Sequence, residues 1–229
     1  MNNVLVLAAH PDDEVLGCGG TIAKHAIAGD VVSVLILAEG LTSRDETRSR
    51  DLAHGDLSDL ARAAREANRI LGTTVLELHD FPDNRMDSVN LLDIVKVVEA
   101  AIAAAQPAIV YTHHAGDVNI DHRRTHEAVV AACRSVPGQV VKQLMYFEVP
   151  SSTEWQTPKS APAFEPTLFV NIANTLETKL EALGCYSSEL RPFPHPRSLQ
   201  AVEALARWRG ATAGYLAAEA FMLGRSLVD

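Results

Sequence analysis

Short apolar runs alternate with helical patterns through the first half of the chain. Four runs have the length and the aliphatic content of buried strands, and they cover Val4–Ala9, Val31–Leu37, Val75–Leu78 and Ile109–Thr112. Helices are predicted between and after them, over Glu14–Ala28, over Asp56–Leu71, over a stretch capped by Ser88, and from about His122. Strands separated by helices favour a parallel sheet covered on both faces. We therefore predict an α/β fold, a Rossmann-like three-layer sandwich with a mostly parallel sheet.

The second half of the chain gives a less regular pattern. Two further strands are predicted, over Leu144–Val149 and Thr167–Val170. Helices are predicted over Thr175–Leu190, over Leu199–Gly210 and near the C-terminus. We find no internal repeat and no linker, and 229 residues with 47% hydrophobic side chains are sufficient for one core. The prediction is a single domain over residues 1–229.

Composition excludes several classes of protein. The net charge of −9 leaves no basic excess to neutralise a nucleic-acid backbone. No apolar stretch approaches membrane-spanning length, and the N-terminus lacks the basic region of a signal peptide. The three cysteines are widely spaced, as expected for buried thiols in a reducing compartment. We expect a cytoplasmic protein, and the apolar region around Tyr215–Leu223 leaves a homo-oligomer open.

Polar residues cluster after the predicted strands. In parallel sheets of this type the ligand site lies beyond the carboxyl ends of the strands. The segments found there contain His10–Glu14, Glu39 with Arg44, Asp80 with Asp83–Arg85, and His113–His122. Most of the unusual polar residues of this half are therefore predicted to lie along one edge of the sheet.

The turn after the first strand carries an imidazole and three carboxylates in five residues, His10–Glu14. Crowded carboxylates repel each other unless a cation or a proton offsets their charge. A solvated acidic helix cap is the alternative explanation, but the neighbouring histidine favours a metal. Adjacent residues in a turn point in different directions, so one of Asp12 and Asp13 is expected to bind and the other to transfer protons.

The segment after the fourth strand supplies a second group of candidate ligands. His122 is predicted at the start of a helix, with Asp121 before it and His126 one turn later, although His126 is equally typical of a surface helix. Two imidazoles and one carboxylate leave an open coordination position, as in catalytic sites. Zinc suits these ligands best, and iron, cobalt or manganese would also fit. Such a metal lowers the pKa of its water to about 7.

These motifs resemble those of the PIG-L/LmbE-like N-deacetylases, which remove acetyl groups from molecules that contain N-acetylglucosamine. The resemblance rests on Ala9–Glu14 and on Asp121-His122 in a Rossmann-like sheet, and covers roughly the first two-thirds of the chain. It implies that His10, Asp13 and His122 are zinc ligands and that Asp12 is the general base. Asp121 would orient a ligand imidazole.

The second motif departs from the common form of this family. Many members have His-Pro-Asp-His where this chain has Asn119–His122, and the first histidine is assigned to stabilising the tetrahedral intermediate. Asn119 donates hydrogen bonds but cannot titrate. Asp12 would then act as both base and acid, unless a further histidine transfers the proton; the candidates are His114, His126 and His195.

Several loop residues are candidates for binding the amino-sugar substrate. They follow strand ends or lie close to one, and comprise Arg44, Asp83, Asn84, Arg85, Asp117, Glu148 and His195. Trp155 would either stack on a sugar face or anchor its loop to the core. Two other functions remain open at this point. Paired aspartates also build magnesium sites for phosphoryl transfer, and a non-catalytic sugar- or metal-binding module would need no base.

Overall fold

A seven-stranded sheet forms the centre of the computed structural model, which describes residues 1–40 and 54–228. The strands are β1 Asn3–Ala8, β2 Val31–Ala38, β3 Val75–Phe81, β4 Ile109–His113, β5 Gln143–Phe147, β6 Leu168–Asn171 and β7 Ala218–Ser226. The helices are α1 Asp13–Ile27, α2 His54–Leu71, α3 Leu91–Ala105, α4 Ile120–Ala132, α5 Leu176–Gly184 and α6 Leu199–Ala213. Short 3₁₀ turns occur at Met86–Ser88 and Thr153–Trp155.

The strand order places the polar segments as expected. The order is β3-β2-β1-β4-β5-β7-β6, with β1 to β5 parallel to one another and β7 antiparallel to both β5 and β6. From β1 the chain passes through α1 to β2 and then through α2 to β3 at the edge, and α3 carries it back to β4 on the other side of β1. A crevice forms at such a reversal beyond the carboxyl ends of the two strands. The segments after β1 and β4 meet in this crevice.

Two hydrophobic layers cover the sheet. Alternate residues of β1 point to opposite faces, so Val4, Val6 and Ala8 pack with α1, α2 and α5, whereas Leu5 and Leu7 pack with α3 and α4. Both groups of β1 side chains are buried, as the continuous apolar run in the sequence requires. The predicted three-layer α/β sandwich with a mostly parallel sheet is confirmed.

Several predicted elements were wrong, most of them in the second half of the chain. The C-terminal segment is strand β7 rather than a helix, because pairing with both β5 and β6 outweighs the local helix preference of its Ala, Glu, Met and Leu residues. The α5 helix ends at Gly184 instead of Leu190. Ser88 lies in a 3₁₀ turn and bonds the Arg85 carbonyl, and α3 begins after Asn90.

Tight packing links α1 to the end of β5. A Cβ atom on Gly17 would lie 2.3 Å from the Phe147 ring, and that buried ring packs edge-on against His113 with centroids 4.7 Å apart. We expect Gly17→Ala to lower the free energy of unfolding by about 1–3 kcal/mol, because the new methyl group forces this packing apart. Urea unfolding measures the effect.

Gly184→Ala is the matched control for this substitution. It also lies in a helix, but no atom lies within 4 Å of its added Cβ. Alanine is the better helix former, so this variant should be unchanged or gain up to about 1 kcal/mol. Equal losses in the two variants would show that contact with Phe147 is not the cause.

Candidate active site and metal centre

The turn after β1 is buried and held by a second carboxylate. Asp12 is 1% exposed and has a left-handed backbone, φ 102°, which is unusual for a residue with a side chain. Its N–H donates to Glu14 Oε2 at 3.1 Å. Glu14 Oε1 in turn accepts bonds from the Tyr186 hydroxyl at 2.5 Å and from Asn68 Nδ2 at 2.9 Å. The Asp12 side chain does not cap α1, so a solvated acidic cap is excluded.

Three predicted ligands from the two motifs come together. Asp13 Oδ2 lies 3.2 Å from His10 Nδ1 and 3.1 Å from His122 Nε2. The candidate ligand atoms of these three residues all lie within 4.8 Å of one another, and all three side chains are buried. More than a hundred residues of sequence separate His10 from His122, and the sheet edge brings them together.

A carboxylate lies behind each imidazole. His10 Nε2 is 2.9 Å from Asp121 Oδ2 and 3.2 Å from Asp83 Oδ1, and His122 Nδ1 is 3.1 Å from Asp117 Oδ2. Carboxylates accept hydrogen bonds, so these nitrogens carry the protons. The opposite nitrogens, Nδ1 of His10 and Nε2 of His122, face the Asp13 carboxylate and would bind a metal in place of a proton. Partners of this kind fix the ring orientation of metal-binding histidines.

Asp117 was predicted to bind substrate, but its carboxylate instead lies against His122. It is fully buried, and it accepts hydrogen bonds from the hydroxyls of Ser152 and Thr153 and from the Asn119 N–H. Burial alone would raise its pKa, but the His122 imidazole and these hydrogen bonds hold the pKa of Asp117 well below its usual range. The carboxylate stays charged beside His122.

The buried carboxylates around His122 favour a positive charge between them. Burial alone would lower the pKa of His122, but the carboxylates of Asp13 and Asp117 raise it to about 9. Burial would raise the pKa of Asp13, yet His122, His10 and His113 together hold it well below its usual range. Without a metal, a proton on the imidazole supplies the cation that the carboxylates require.

His113 is a site residue whose role the sequence analysis did not identify. Its Nε2 accepts the Ala9 N–H at 2.8 Å, and its ring stacks on His122 with centroids 4.0 Å apart. Burial, and then the neighbouring His122, lower the pKa of His113 well below its usual value, so the ring is neutral. The bond joins the ends of β1 and β4 behind the cluster. Its position as the last residue of an apolar strand was the available signal.

Asp12, the residue before Asp13, has one carboxylate oxygen bonded and one not. Oδ2 accepts a hydrogen bond from Arg197 Nη1 at 3.2 Å, whereas Oδ1 is buried and has no hydrogen-bond partner among the described residues. Burial raises the pKa of Asp12 well above its usual value, although Arg197 partly opposes the rise. This environment suits a carboxylate that gains and loses a proton. From the sequence, His195 was a candidate site residue but Arg197 was not.

Asn119 caps helix α4 with its side-chain oxygen, Oδ1. Its Oδ1 accepts the Asp121 N–H at 2.8 Å, and its Nδ2 donates to Asn84 Oδ1 at 2.9 Å. One Nδ2 hydrogen remains, so donation to an oxyanion stays a prediction. The cap also explains why α4 begins at Ile120, two residues before the predicted start.

The other predicted substrate residues differ in where they lie relative to the cluster. Asp83 is buried beside His10, and the Asn84 N–H donates to Asp121 Oδ2 at 2.6 Å, so both support the cluster. Arg85 follows in the same turn and is half-buried. Glu148 instead forms a two-pronged ion pair with Arg209, both bonds at 2.7 Å, and is not brought into the cluster. Arg44 lies outside the described residues.

The histidines proposed for proton transfer occupy different surroundings. His126 Nδ1 lies 2.9 Å from the His113 carbonyl, and His114 Nε2 lies 2.9 Å from the Pro162 carbonyl. His195 Nδ1 accepts the Arg197 N–H at 3.1 Å, so its proton lies on Nε2. His195 is thus two residues from the side chain that contacts Asp12. Trp155 is 54% exposed with its ring 5.9 Å from that of His195, so it does not anchor its loop to the core.

The donor atoms fit a divalent metal. His122 Nε2 and Asp13 Oδ1 are buried without hydrogen-bond partners in the part of the chain that the structure describes. Buried polar atoms are normally bonded, so these two atoms point to a ligand. Two nitrogens and a carboxylate suit zinc or a similar transition metal better than magnesium, which prefers oxygen.

Comparison with known proteins places this site in a family. The sequence profile of PIG-L, described as GlcNAc-PI de-N-acetylase, matches residues 5–133, more than half of the chain and both motifs. The chain belongs to the PIG-L family. The match ends before Ser152 and Arg197, so those contributions to the site come from outside the family profile.

Two curated relatives and one solved structure illustrate the range of similar proteins. The chain is 29% identical over 191 residues to the uncharacterized deacetylase YaiS of Escherichia coli, covering 81% of this chain and 90% of that one. It is 29% identical over 203 residues to the diacetylchitobiose deacetylase of Thermococcus kodakarensis, covering 82% and 70%. The structure of GalB, a 4-carboxy-2-hydroxymuconate hydratase from Pseudomonas putida, superposes with a TM-score of 0.79 at 21% identity, covering 100% and 98%. The fold alone therefore does not decide the reaction.

Proposed function

We propose that this PIG-L protein is a metal-dependent deacetylase that removes the N-acetyl group from an N-acetylglucosamine-type sugar or conjugate. The observation that carries the proposal is the buried group of His10, Asp13 and His122, together with the buried and unbonded Oδ1 of Asp12 in the same turn as His10 and Asp13. The names of the relatives YaiS and diacetylchitobiose deacetylase support the same reaction. The substrate we expect is a small amino sugar or glycoconjugate.

His10, Asp13 and His122 would hold the metal, for which zinc is the first choice. Such a metal polarises an amide carbonyl and lowers the pKa of a water to about 7. Asp121 and Asp83 keep His10 in place, and Asp117 does the same for His122. These supports limit movement of the imidazoles during the reaction.

Asp12 is the proposed general base. It takes a proton from the attacking water as the water oxygen bonds to the acetyl carbon, and it returns that proton to the nitrogen as the C–N bond breaks. The remaining Nδ2 hydrogen of Asn119 is the proposed donor to the oxyanion. His195 Nε2 is the other candidate for protonating the amine, since its Nδ1 is already occupied. Acetate and a free amino sugar are the products.

Acetate release tests the proposed function. The metal-loaded protein is assayed with N-acetylglucosamine, N,N'-diacetylchitobiose, N-acetylated nucleotide sugars and N-acetylated glycoconjugates. Hydrolysis of phosphate esters with Mg²⁺ and no acetate from any probe would favour the phosphoryl-transfer alternative. A protein that binds metal and sugar without turnover would be a binding module, and hydration of an unsaturated acid would align it with the GalB reaction.

Among the described residues, no helix combines the length and the hydrophobicity needed to span a bilayer. A homo-oligomer stays a prediction.

Asp117→Asn tests the outer partner of His122. We expect metal affinity to fall about 10–100-fold, because the amide lacks the charge that holds the imidazole. Competition with a chromophoric zinc chelator measures the dissociation constant. Asp93→Asn, at an exposed position of α3, should leave the affinity unchanged. An unaltered affinity in Asp117→Asn would contradict a role in supporting the metal.

A further inference from the structure

Arg197 reaches the candidate base from a loop near the C-terminal end of the chain. Its Nη1 donates to Asp12 Oδ2 at 3.2 Å across 185 positions of sequence. Its Nε donates to Ser151 Oγ at 2.7 Å, and Nη1 lies 3.8 Å from Glu189 Oε2. The guanidinium therefore connects three segments of the chain: the turn after β1, the loop after β5 and the loop between α5 and α6.

The backbone around Arg197 is itself fixed. The Arg197 N–H donates to His195 Nδ1, and the Ser198 N–H donates to the His195 carbonyl at 3.0 Å. Ser198 caps α6 by accepting the Ala201 N–H. The arginine side chain is 23% exposed, while the Asp12 side chain it contacts is 2% exposed. A planar group with a fixed base and directional donors orients a carboxylate well.

The contact with Arg197 gives the two oxygens of the Asp12 carboxylate different surroundings. Oδ2 is occupied by Arg197, and the Asp12 backbone is fixed by Glu14, so rotation of the carboxylate is opposed from both sides. Oδ1 is left without a hydrogen-bond partner in the described parts of the chain. We propose that Arg197 is a positioning residue, which clamps Oδ2 of Asp12 so that Oδ1 is the oxygen that accepts the proton. This inference rests on the proposed function.

Arg197→Ala is the principal test. We expect kcat for acetate release from N,N'-diacetylchitobiose, or from whichever probe the protein accepts, to fall about 10²-fold, as misplacement of a reacting group by about 1 Å does. KM and zinc content should stay within about threefold of the wild type. Added guanidinium should restore about tenfold of the lost rate, and Arg197→Lys should be intermediate because lysine lacks the planar fork. Arg191→Ala is the matched control, since within residues 1–40 and 54–228 the Arg191 side chain bonds only the carbonyls of Ser188 and Leu190 in its own loop.

Three outcomes of the kinetic and zinc measurements would overturn the proposal. A rise in KM at unchanged kcat would make Arg197 a substrate-binding residue. Loss of zinc with activity would make its role structural, and an unchanged kcat would remove the role altogether. Crystal structures give a readout that needs no substrate: the Asp12 carboxylate should rotate or become disordered in Arg197→Ala. An unmoved carboxylate refutes the clamp, whereas a moved carboxylate in a protein that releases no acetate refutes only the proposed function.

Discussion

Asp12→Asn is expected to lower kcat for acetate release about 10³-fold while the protein keeps its metal. The amide has nearly the same shape as the carboxylate, but it cannot accept a proton from water at neutral pH. General base catalysis contributes about 10²–10⁴-fold in enzymes. The metal should stay because Asp13 Oδ2, not Asp12, lies between His10 and His122. Steady-state kinetics and elemental analysis of the same preparation check both parts.

Asp87→Asn provides the control, since Asp87 is an exposed aspartate in the 3₁₀ turn after β3. It should retain wild-type kcat and zinc. If Asp12→Asn kept its deacetylase activity, the assignment of the base would be wrong, and if it lost zinc, Asp12 would be a ligand. If the protein were a binding module without catalytic activity, Asp12→Asn would leave its cellular function unchanged.

The sheet edge could be predicted because it follows from simple periodicity. Apolar runs of strand length separated by helices dictate parallel strands, and their carboxyl ends converge. His10 and His122 could therefore be placed together without knowing any contact between them. Which aspartate faces them could not be deduced from the residues, since it depends on the left-handed backbone of Asp12. The family resemblance assigned Asp13 to the metal, and the geometry is consistent with it.

Loop residues were harder because hydrophobic periodicity does not report their burial. Asp117 is a polar residue in a loop, and such residues are usually exposed, so it was predicted to bind substrate. In the structure it is buried against His122 by hydroxyl groups from the loop after β5. Glu148 was also predicted to bind substrate, but in the structure it pairs with Arg209 of α6. Both results depend on how distant segments pack.

The contributions from the last third of the chain had the weakest signal. Arg197 lies in an irregular loop, so neither a period of 3.6 nor a period of 2 marks the direction of its side chain. Its position depends on the packing of α5 and α6 against the sheet, and the antiparallel strand β7 that follows α6 was predicted as a helix. Local preference decided the prediction for β7, whereas pairing with β5 and β6 decides the structure.

Asp13→Ala is expected to abolish both metal binding and activity, which makes it the reciprocal of Asp12→Asn. Of the three proposed ligands only the two imidazoles remain, so the loss of affinity should exceed the 10–100-fold typical of outer partners. Thermal unfolding gives an independent readout. Zinc at about 100 times its dissociation constant adds about 2.7 kcal/mol to a protein that binds it only when folded. For a chain of this size that corresponds to a rise in Tm of about 5–10 °C.

The wild-type protein should show this zinc-dependent rise, Asp12→Asn should show it fully, and Asp13→Ala should not show it. The two aspartates are adjacent and both buried, and Asp13 Oδ2 is the oxygen that contacts His10 and His122. Each variant is compared with itself with and without zinc, so the cost of the substitution does not enter the comparison. A zinc-dependent rise in Asp13→Ala would mean that the metal is held elsewhere, and its absence from all three proteins would mean that the cluster holds protons in place of a metal. Opposite behaviour of the two variants would therefore assign one carboxylate to the metal and the other to proton transfer.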